Sequence, residues 1–422
     1  MFNNIFNIKN FFLSINIYMS ANDSMADSLL NVNNLNYGMP PMPSVATGRT
    51  HISVFPQTVS ASQGGNIIFN VSSGSQFING PGSYLQISLT TVGGNTATMM
   101  PSVGSLFSNV IVTAQNGVEL SRVNDLAMYM QKGKYQMTHD KRVLLKDTEG
   151  LYKVLAAGAG TYKFILRLDA LPIFKNHSQL LPPQMMEGLR IQFGVNSIAR
   201  AFKSAVAVTS FSVTSVLKLD AVTLSDAFLR RVNEISANQG LVLMHEEPFH
   251  SETSSSTVNL NFNINKACSK AVEFCLLPRL SSVVDSVSSN SSSTEPYNIS
   301  AIQLQAGSQY YPIQSLTQTA TGLNSSAEPF HYVLLNATNG KYNSSVHYDH
   351  FYQDFSATTG CEAAFFQNLR EGSANLTGVL LNNSRSLIVN ATMGSAVGRL
   401  FTSYLSHIRM VRVFQNNAIV RD

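Results

Sequence analysis

The tightest constraint on this chain is a period of two. Tyr162, Phe164, Leu166 and Leu168 fall on one side of a short run, and Lys163 and Arg167 on the other. That alternation belongs to a strand with one face on a core and one toward water. Similar β-rich runs recur from His51 onward, separated by turn signals. Asn66–Val71 follows Gly64-Gly65, Tyr84–Leu89 follows Asn79-Gly80-Pro81-Gly82, and Leu106–Gln115 precedes the hairpin dipeptide Asn116-Gly117. Leu189–Phe193 and Val206–Leu219 complete a first set. A second set comprises Leu241–Met244, Thr257–Ile264, Ala271–Leu277, Ile299–Gln305, Asn375–Val379, Leu387–Asn390 and Tyr404–Phe414. The last is apolar on both faces, as a strand between packed layers would be.

Helical spacing is rare. Ser121–Lys134 carries Val123, Leu126, Ala127 and Met130 on one face, with Ser121 as its expected cap. Residues 225–238 carry Phe228, Leu229, Val232 and Ile235, and Asn238-Gln239-Gly240 stops the run. Ser325 and Glu328 stand at capping-box spacing and begin a third. Ser281–Thr294 is Ser-rich and is expected to be an exposed loop. Each half therefore reads as strands, a helix in a long connection, and more strands. No repeat of 20–50 residues occurs, which excludes solenoids and propellers. The expected fold class is all-β with two tandem β-domains, and periodicity does not choose between sandwiches and jelly rolls. The expected division is an extended or disordered arm over 1–45, a first domain over 46–221, and a linker helix with a second domain over 222–422.

Residues 2–18 are apolar but interrupted by Asn, with no small-residue cleavage pattern, so they fit neither a signal peptide nor a membrane span. Ile5, Ile8, Phe12 and Ile15 do fall at helical spacing, and an equally good reading is upstream sequence before a start at Met19 or Met25. Charged residues are only 12% of the chain and the net charge is +4, with no Lys/Arg run longer than Lys141-Arg142 or Arg230-Arg231. Sequence-specific nucleic-acid binding is not expected, since it shows as a basic tail or stripe. A surface this poor in charge suits a protein packed against copies of itself. Cys268, Cys275 and Cys361 match neither a zinc nor a redox spacing and read as small core residues. Eleven Asn-x-Ser/Thr sites, Asn70 and Asn298 among them, follow from the abundance of Asn and Ser and do not establish secretion.

The candidate chemistry resolves into decoys. His245-Glu246-Glu247-Pro248-Phe249-His250 resembles a zincin helix, but its histidines are five apart and Pro248 would break the helix. It is expected to be a polar strand end and loop. In His347-Tyr348-Asp349-His350, a strand would put His347 and Asp349 on one face and His350 on the other, leaving two metal ligands at most. An inter-subunit metal at these three residues stays open. Gly158-Ala159-Gly160-Thr161-Tyr162-Lys163 leads into a strand and lacks phosphate-loop spacing. No catalytic, cofactor-binding or metal residue is assigned, and no cofactor is expected.

Three stretches, in order, carry a family resemblance: Leu106–Val123 (LFSNVIVTAQNGVELSRV), Leu168–Phe193 (LDALPIFKNHSQLLPPQMMEGLRIQF) and Ile302–Leu335 (IQLQAGSQYYPIQSLTQTATGLNSSAEPFHYVLL). They resemble the double jelly-roll major capsid proteins of Polinton-like viruses and virophages, of the hexon-like lineage. The chain departs from the family in its short length, its lack of Trp and its N-terminal arm. The resemblance implies two eight-stranded jelly rolls and a non-enzymatic subunit of an icosahedral double-stranded DNA virus. It also implies homotrimeric pseudo-hexagonal capsomers, penton and minor capsid proteins as partners, and residence in the virion. The helix-bearing connections Ser121–Lys134 and Ser325–Tyr342 and the Ser281–Thr294 loop are then expected at outer or lateral surfaces. Two other readings stand beside it: a spike, penton or other β-sandwich structural protein, and a secreted glycan-binding or glycan-hydrolysing β-sandwich.

Overall fold

The computed structural model describes residues 46–93, 96–99, 102–136, 144–146, 148–151, 153–156, 158–175, 179–204, 208–286, 299–317, 364–370, 378–382, 385–414 and 417–422. Eight strands form the two principal sheets of the first half: β1 (Ala46–Val54), β2 (Asn66–Val71), β3 (Phe77–Val92), β4 (Phe107–Thr113), β5 (Glu119–Asn124), β6 (Gly160–Arg167), β7 (Leu189–Val195) and β8 (Ser210–Leu224). They form two antiparallel sheets, ordered β1-β8-β3-β6 and β2-β7-β4-β5. Eight more form the principal sheets of the second half: β9 (Leu241–Ser255), β10 (Asn259–Ile264), β11 (Cys268–Leu280), β12 (Ile299–Ala306), β13 (Gln309–Thr317), β14 (Phe365–Asn368), β15 (Leu387–Met393) and β16 (Arg399–Phe414). Their sheets run β9-β16-β11-β14 and β10-β15-β12-β13. Adding eight to every strand number of the first pair gives the second pair. Each half is a complete jelly roll, and periodicity alone could not have chosen this topology.

Inward alternation drives the strands. Leu260, Phe262 and Ile264 of β10 are buried while Asn259, Asn261 and Asn263 face water, and Leu387, Val389, Ala391 and Met393 do the same on β15. Asn261 Nδ2 donates to Asn390 Oδ1 across the outer face at 2.6 Å. In the first roll, Phe193 packs on Phe69 and Phe107 at ring distances of 6.1 and 5.1 Å. Each large side chain buried in this way contributes about 1.5–3 kcal/mol. Between the rolls, helix α2 (Asp226–Asn238) lays Val232 and Leu229 on Phe77, Leu224 and Leu241. Gly240, at φ +75°, turns the chain into β9. A closing strand, β17 (Asn417–Arg421), pairs with the end of β16.

Several expectations change. The Ser121–Lys134 segment is not one helix: its first residues belong to β5, and only α1 (Leu126–Tyr135) is helical. Ser121 and Val123 are both buried and pair with Val112 and Val110 of β4, so the period of two prevails where both periods fit. The cap is Asp125 rather than Ser121. It adopts φ 47° and accepts from the Met128 amide at 3.3 Å. Asn79-Gly80-Pro81-Gly82 is no turn but lies inside the long strand β3. There a Cβ on Gly80 would stand 2.3 Å from the Phe174 carbonyl oxygen, so the glycine permits close packing rather than a reversal. The strand read as Val206–Leu219 starts at Ser210, and β8 continues pairing with β1 through Leu224. Ser281–Val284 forms one helical turn where a loop was expected. Residues 287–294 of that loop, residues 1–45, the helix begun at Ser325, and His347–His350 lie outside the described residues.

Candidate functional site at the seam between the rolls

The features that stand out chemically lie where the β5–α1 corner of the first roll meets the β9-β16-β11-β14 sheet of the second. One transverse row of that sheet runs Phe366, Cys275, Tyr404, His250 in direct register. Met128 and Tyr129 of α1 close over it, with the Tyr129 and Tyr404 rings 5.7 Å apart. The Tyr404 hydroxyl donates to the Asp125 and Asn124 carbonyls at 2.9 and 3.2 Å. Burial pushes its phenol well above the usual range, so it stays a neutral donor. This explains why β11, and β16 over residues 401–407, are buried on both faces: one meets the roll's own core and the other meets α1. Helix α1 is thus internal. The expectation that Ser121–Lys134 lies at an outer or lateral surface is overturned, because the apolar stripe of α1 finds a second sheet to cover.

Charges are enclosed with these apolar groups. Lys132 Nζ lies 2.5 Å from Glu273 Oε1, with both side chains at most 5% exposed, and also donates to Ser406 Oγ at 3.0 Å. Gln136 Nε2 donates to the other Glu273 oxygen at 2.8 Å. Arg279 Nη2, on a side chain 2% exposed, contacts Glu252 at 2.9 Å, Asp125 at 3.3 Å and Thr402 at 2.7 Å. Glu247 accepts from the Ser121 hydroxyl at 2.8 Å and the Arg122 amide at 2.6 Å, and meets His245 Nε2 at 3.1 Å. Asp422 joins Arg409 at 2.6 Å and Lys266 at 2.5 Å, with His407 at 3.4 Å. Burial alone would raise the Asp422 carboxyl, but these three cationic or donor groups outweigh it and hold it well below the carboxylate range.

Asp125, His250 and Glu252 converge as metal-ligand types would, with donor atoms within 4.8 Å of one another. The Arg279 guanidinium already sits against both carboxylates, so the local negative charge is neutralised from within the chain. His250 at 3.7 Å, then Arg279 and Arg200, outweigh burial and bring Glu252 down to about 2. A carboxyl whose folded value is depressed contributes stability above its ordinary value of 4.5 and loses it as pH falls through about 2. Thermal melts are therefore expected to weaken across that window, by no more than about 2–3 kcal/mol for this group. Glu252→Gln is expected to flatten the slope, and an unchanged acid slope would remove Glu252 from the seam's pH response.

The zincin-like segment His245–His250 lies in the middle of β9, not at a strand end and loop. Pro248 is tolerated because β9 is an edge strand of its sheet. His245 meets Glu247 and His250 packs on Tyr404 at 5.2 Å, so the two imidazoles have separate partners. Gly158, at φ +88°, precedes β6. Cys268 and Cys275 are buried free thiols, and burial pushes Cys268 up to about 11.

Of the residues that tie the rolls together, Lys132, Glu273 and Arg279 were not singled out from sequence, and Glu247 entered only within the zincin-like segment. A signal existed: Glu273 and Arg279 interrupt an otherwise apolar strand in a chain with few charges. A charge inside a run buried on both faces needs a partner.

No family model and no curated protein matches this chain. Its fold does match solved structures. The PBCV-1 virus capsid subunit aligns at a TM-score of 0.64 and 10% identity, over 91% of this chain and 99% of that one. A chain of the Sputnik virophage structure aligns at 0.61 and 12%, over 91% and 90%. The mavirus major capsid protein aligns at 0.51 and 11%, over 92% of each. This chain has the fold of those capsid subunits. At such identities the shared property is the two-roll architecture, and the alignment spans both rolls and the seam.

Proposed function

We propose that this chain is the major capsid protein of an icosahedral double-stranded DNA virus of the virophage or Polinton-like type, a structural subunit of the virion and not an enzyme. The observation that carries this is the joining of two complete jelly rolls through a buried, ion-paired seam. A fused pair of this kind gives a three-chain ring six similar rolls, a near-hexagonal tile. Function is then burial of subunit surface and geometric closure, with penton and minor capsid proteins completing the shell. The carboxylates at the seam support the same reading, because each described one is committed to a cation or donor rather than paired across a cleft as in glycan hydrolysis. A spike or penton needs one roll and has no use for the seam. Sedimentation of the purified protein is expected to give a trimer, and negative-stain images a hexagonal outline. A protein that stays monomeric at high concentration and physiological salt would sink the reading.

A further inference from the structure

We propose that the bare face of the sheet corner formed by β9, β16 and β17 is a docking surface for an anionic phospholipid bilayer. The inference goes beyond the capsid reading and needs only the folded chain.

The two faces of this corner differ. Leu243 of β9, Val411 and Val413 of β16 and Ala418 of β17 are buried in the core of the first roll. Their neighbours along each strand point the other way. One row of that second face runs Val242, Arg412, Ile419 in direct register, and the next runs Met244, Met410, Arg421. Val242, Met244 and Ile419 remain 36%, 43% and 54% exposed.

Charge identifies the occupant. Every described arginine except Arg230, Arg231, Arg412 and Arg421 contacts a carboxylate or another oxygen acceptor. Those four have no such partner among the described residues. Arg230 and Arg231 share α2 with Asp226 and Glu234, which cancel their charge. Arg412 and Arg421 have no anion to cancel theirs. Glu246, in the following row, is held by Arg370, and Asp422 by Arg409 and Lys266.

Two uncompensated guanidinium groups set among methionine, valine and isoleucine have the composition of a bilayer-interface contact. The aliphatic side chains enter the headgroup boundary, the arginine stems lie along it, and the guanidinium forks take lipid phosphates. Nucleic acid would reward stacking aromatics, and neither row carries one. Peptides bind sheets at an edge or in a groove rather than across a face. The contact is peripheral, because a sheet corner with one face in a protein core cannot span a bilayer.

Flotation of the purified full chain with phosphatidylcholine vesicles, with and without ~30% phosphatidylserine, tests the surface. The chain should partition onto the anionic vesicles and not the neutral ones, and high salt should release it. Arg412→Gln/Arg421→Gln should lower partitioning by roughly 25-fold, about fivefold for each cation lost near the surface. Lys153→Gln/Lys203→Gln, which removes two exposed lysines elsewhere, should bind as the wild type does. The chain has no Trp, so Met244→Trp gives a single reporter. Its emission should shift to the blue on anionic vesicles and be quenched by brominated acyl chains. Absence of binding to anionic vesicles overturns the proposal, and so does equal binding by R412Q/R421Q or equal loss with K153Q/K203Q. An unshifted M244W emission in vesicle-bound protein overturns it too, because another surface then makes the contact. Tighter retention of duplex DNA, or self-association lost in R412Q/R421Q, gives this face to nucleic acid or to a second copy instead. Should R412Q/R421Q misfold by near-UV circular dichroism, M244W quenching on the otherwise native chain decides. The sedimentation test of the trimer is independent of all these results, so the two readings fail separately.

Discussion

Lys132→Met is expected to destabilise the protein by about 3–5 kcal/mol, because it strands the Glu273 carboxylate without a counter-charge. Glu273 is 3% exposed and cannot recover its hydration where it stands. The Gln136 amide offsets only part of the loss, since a neutral donor replaces little of a full charge. The double variant Lys132→Met/Glu273→Met separates the two contributions. With both charges gone, the desolvation cost vanishes too, and most of the single-variant loss should return, short of the unmatched Gln136 amide. Urea unfolding checks this in two ways. The midpoint of the single variant should fall well below those of both wild type and double variant. Its unfolding should also split into two transitions, as the rolls lose the coupling that makes them melt together. A single-variant loss below about 1 kcal/mol would show that the pair does not hold the seam.

Arg279→Met should have an effect of the same order, about 3–5 kcal/mol, through a different route. The guanidinium serves Glu252, Asp125 and the Thr402 hydroxyl together, and Asp125 is also the cap of α1. Its removal leaves two facing carboxylates and loosens the start of the helix that covers Tyr404. The pH dependence then changes sign locally. With Arg279 present, Glu252 sits at about 2 and acid weakens the seam. Without it, the facing carboxylates repel, so mild acid that protonates one of them should partly restore stability. A variant whose stability still falls monotonically from pH 6 to pH 3 would show that His250 and Arg200, rather than Arg279, hold Glu252 ionised.

Much of the first roll is visible in sequence because its strands are one-sided. Asn66–Val71 and Tyr162–Leu168 alternate, and alternation has one reading. Strands that fit two patterns, or none, were missed or misplaced. Gln309–Thr317 and Phe365–Asn368 are too short or too mixed to signal themselves. Glu119–Asn124 continues into a helix and borrows its period. The seam was invisible for a further reason. Lys132, Glu273, Arg279 and Glu247 come from three separate elements, α1, β11 and β9, and no local pattern says which charge meets which.

What the sequence by itself determined is the local grammar: an all-β chain, two rounds of strands, a stopped helix at Gly240, and no local catalytic motif. These follow from periods and turn residues, which act over a few positions. What only the tertiary structure decided is long-range. Jelly-roll order requires β1 to pair with β8 and β9 with β16, across separations no local pattern encodes. The inward place of α1 follows from the same cause, because an apolar stripe records only that something must cover it. Which sheet does so depends on where the second roll stands.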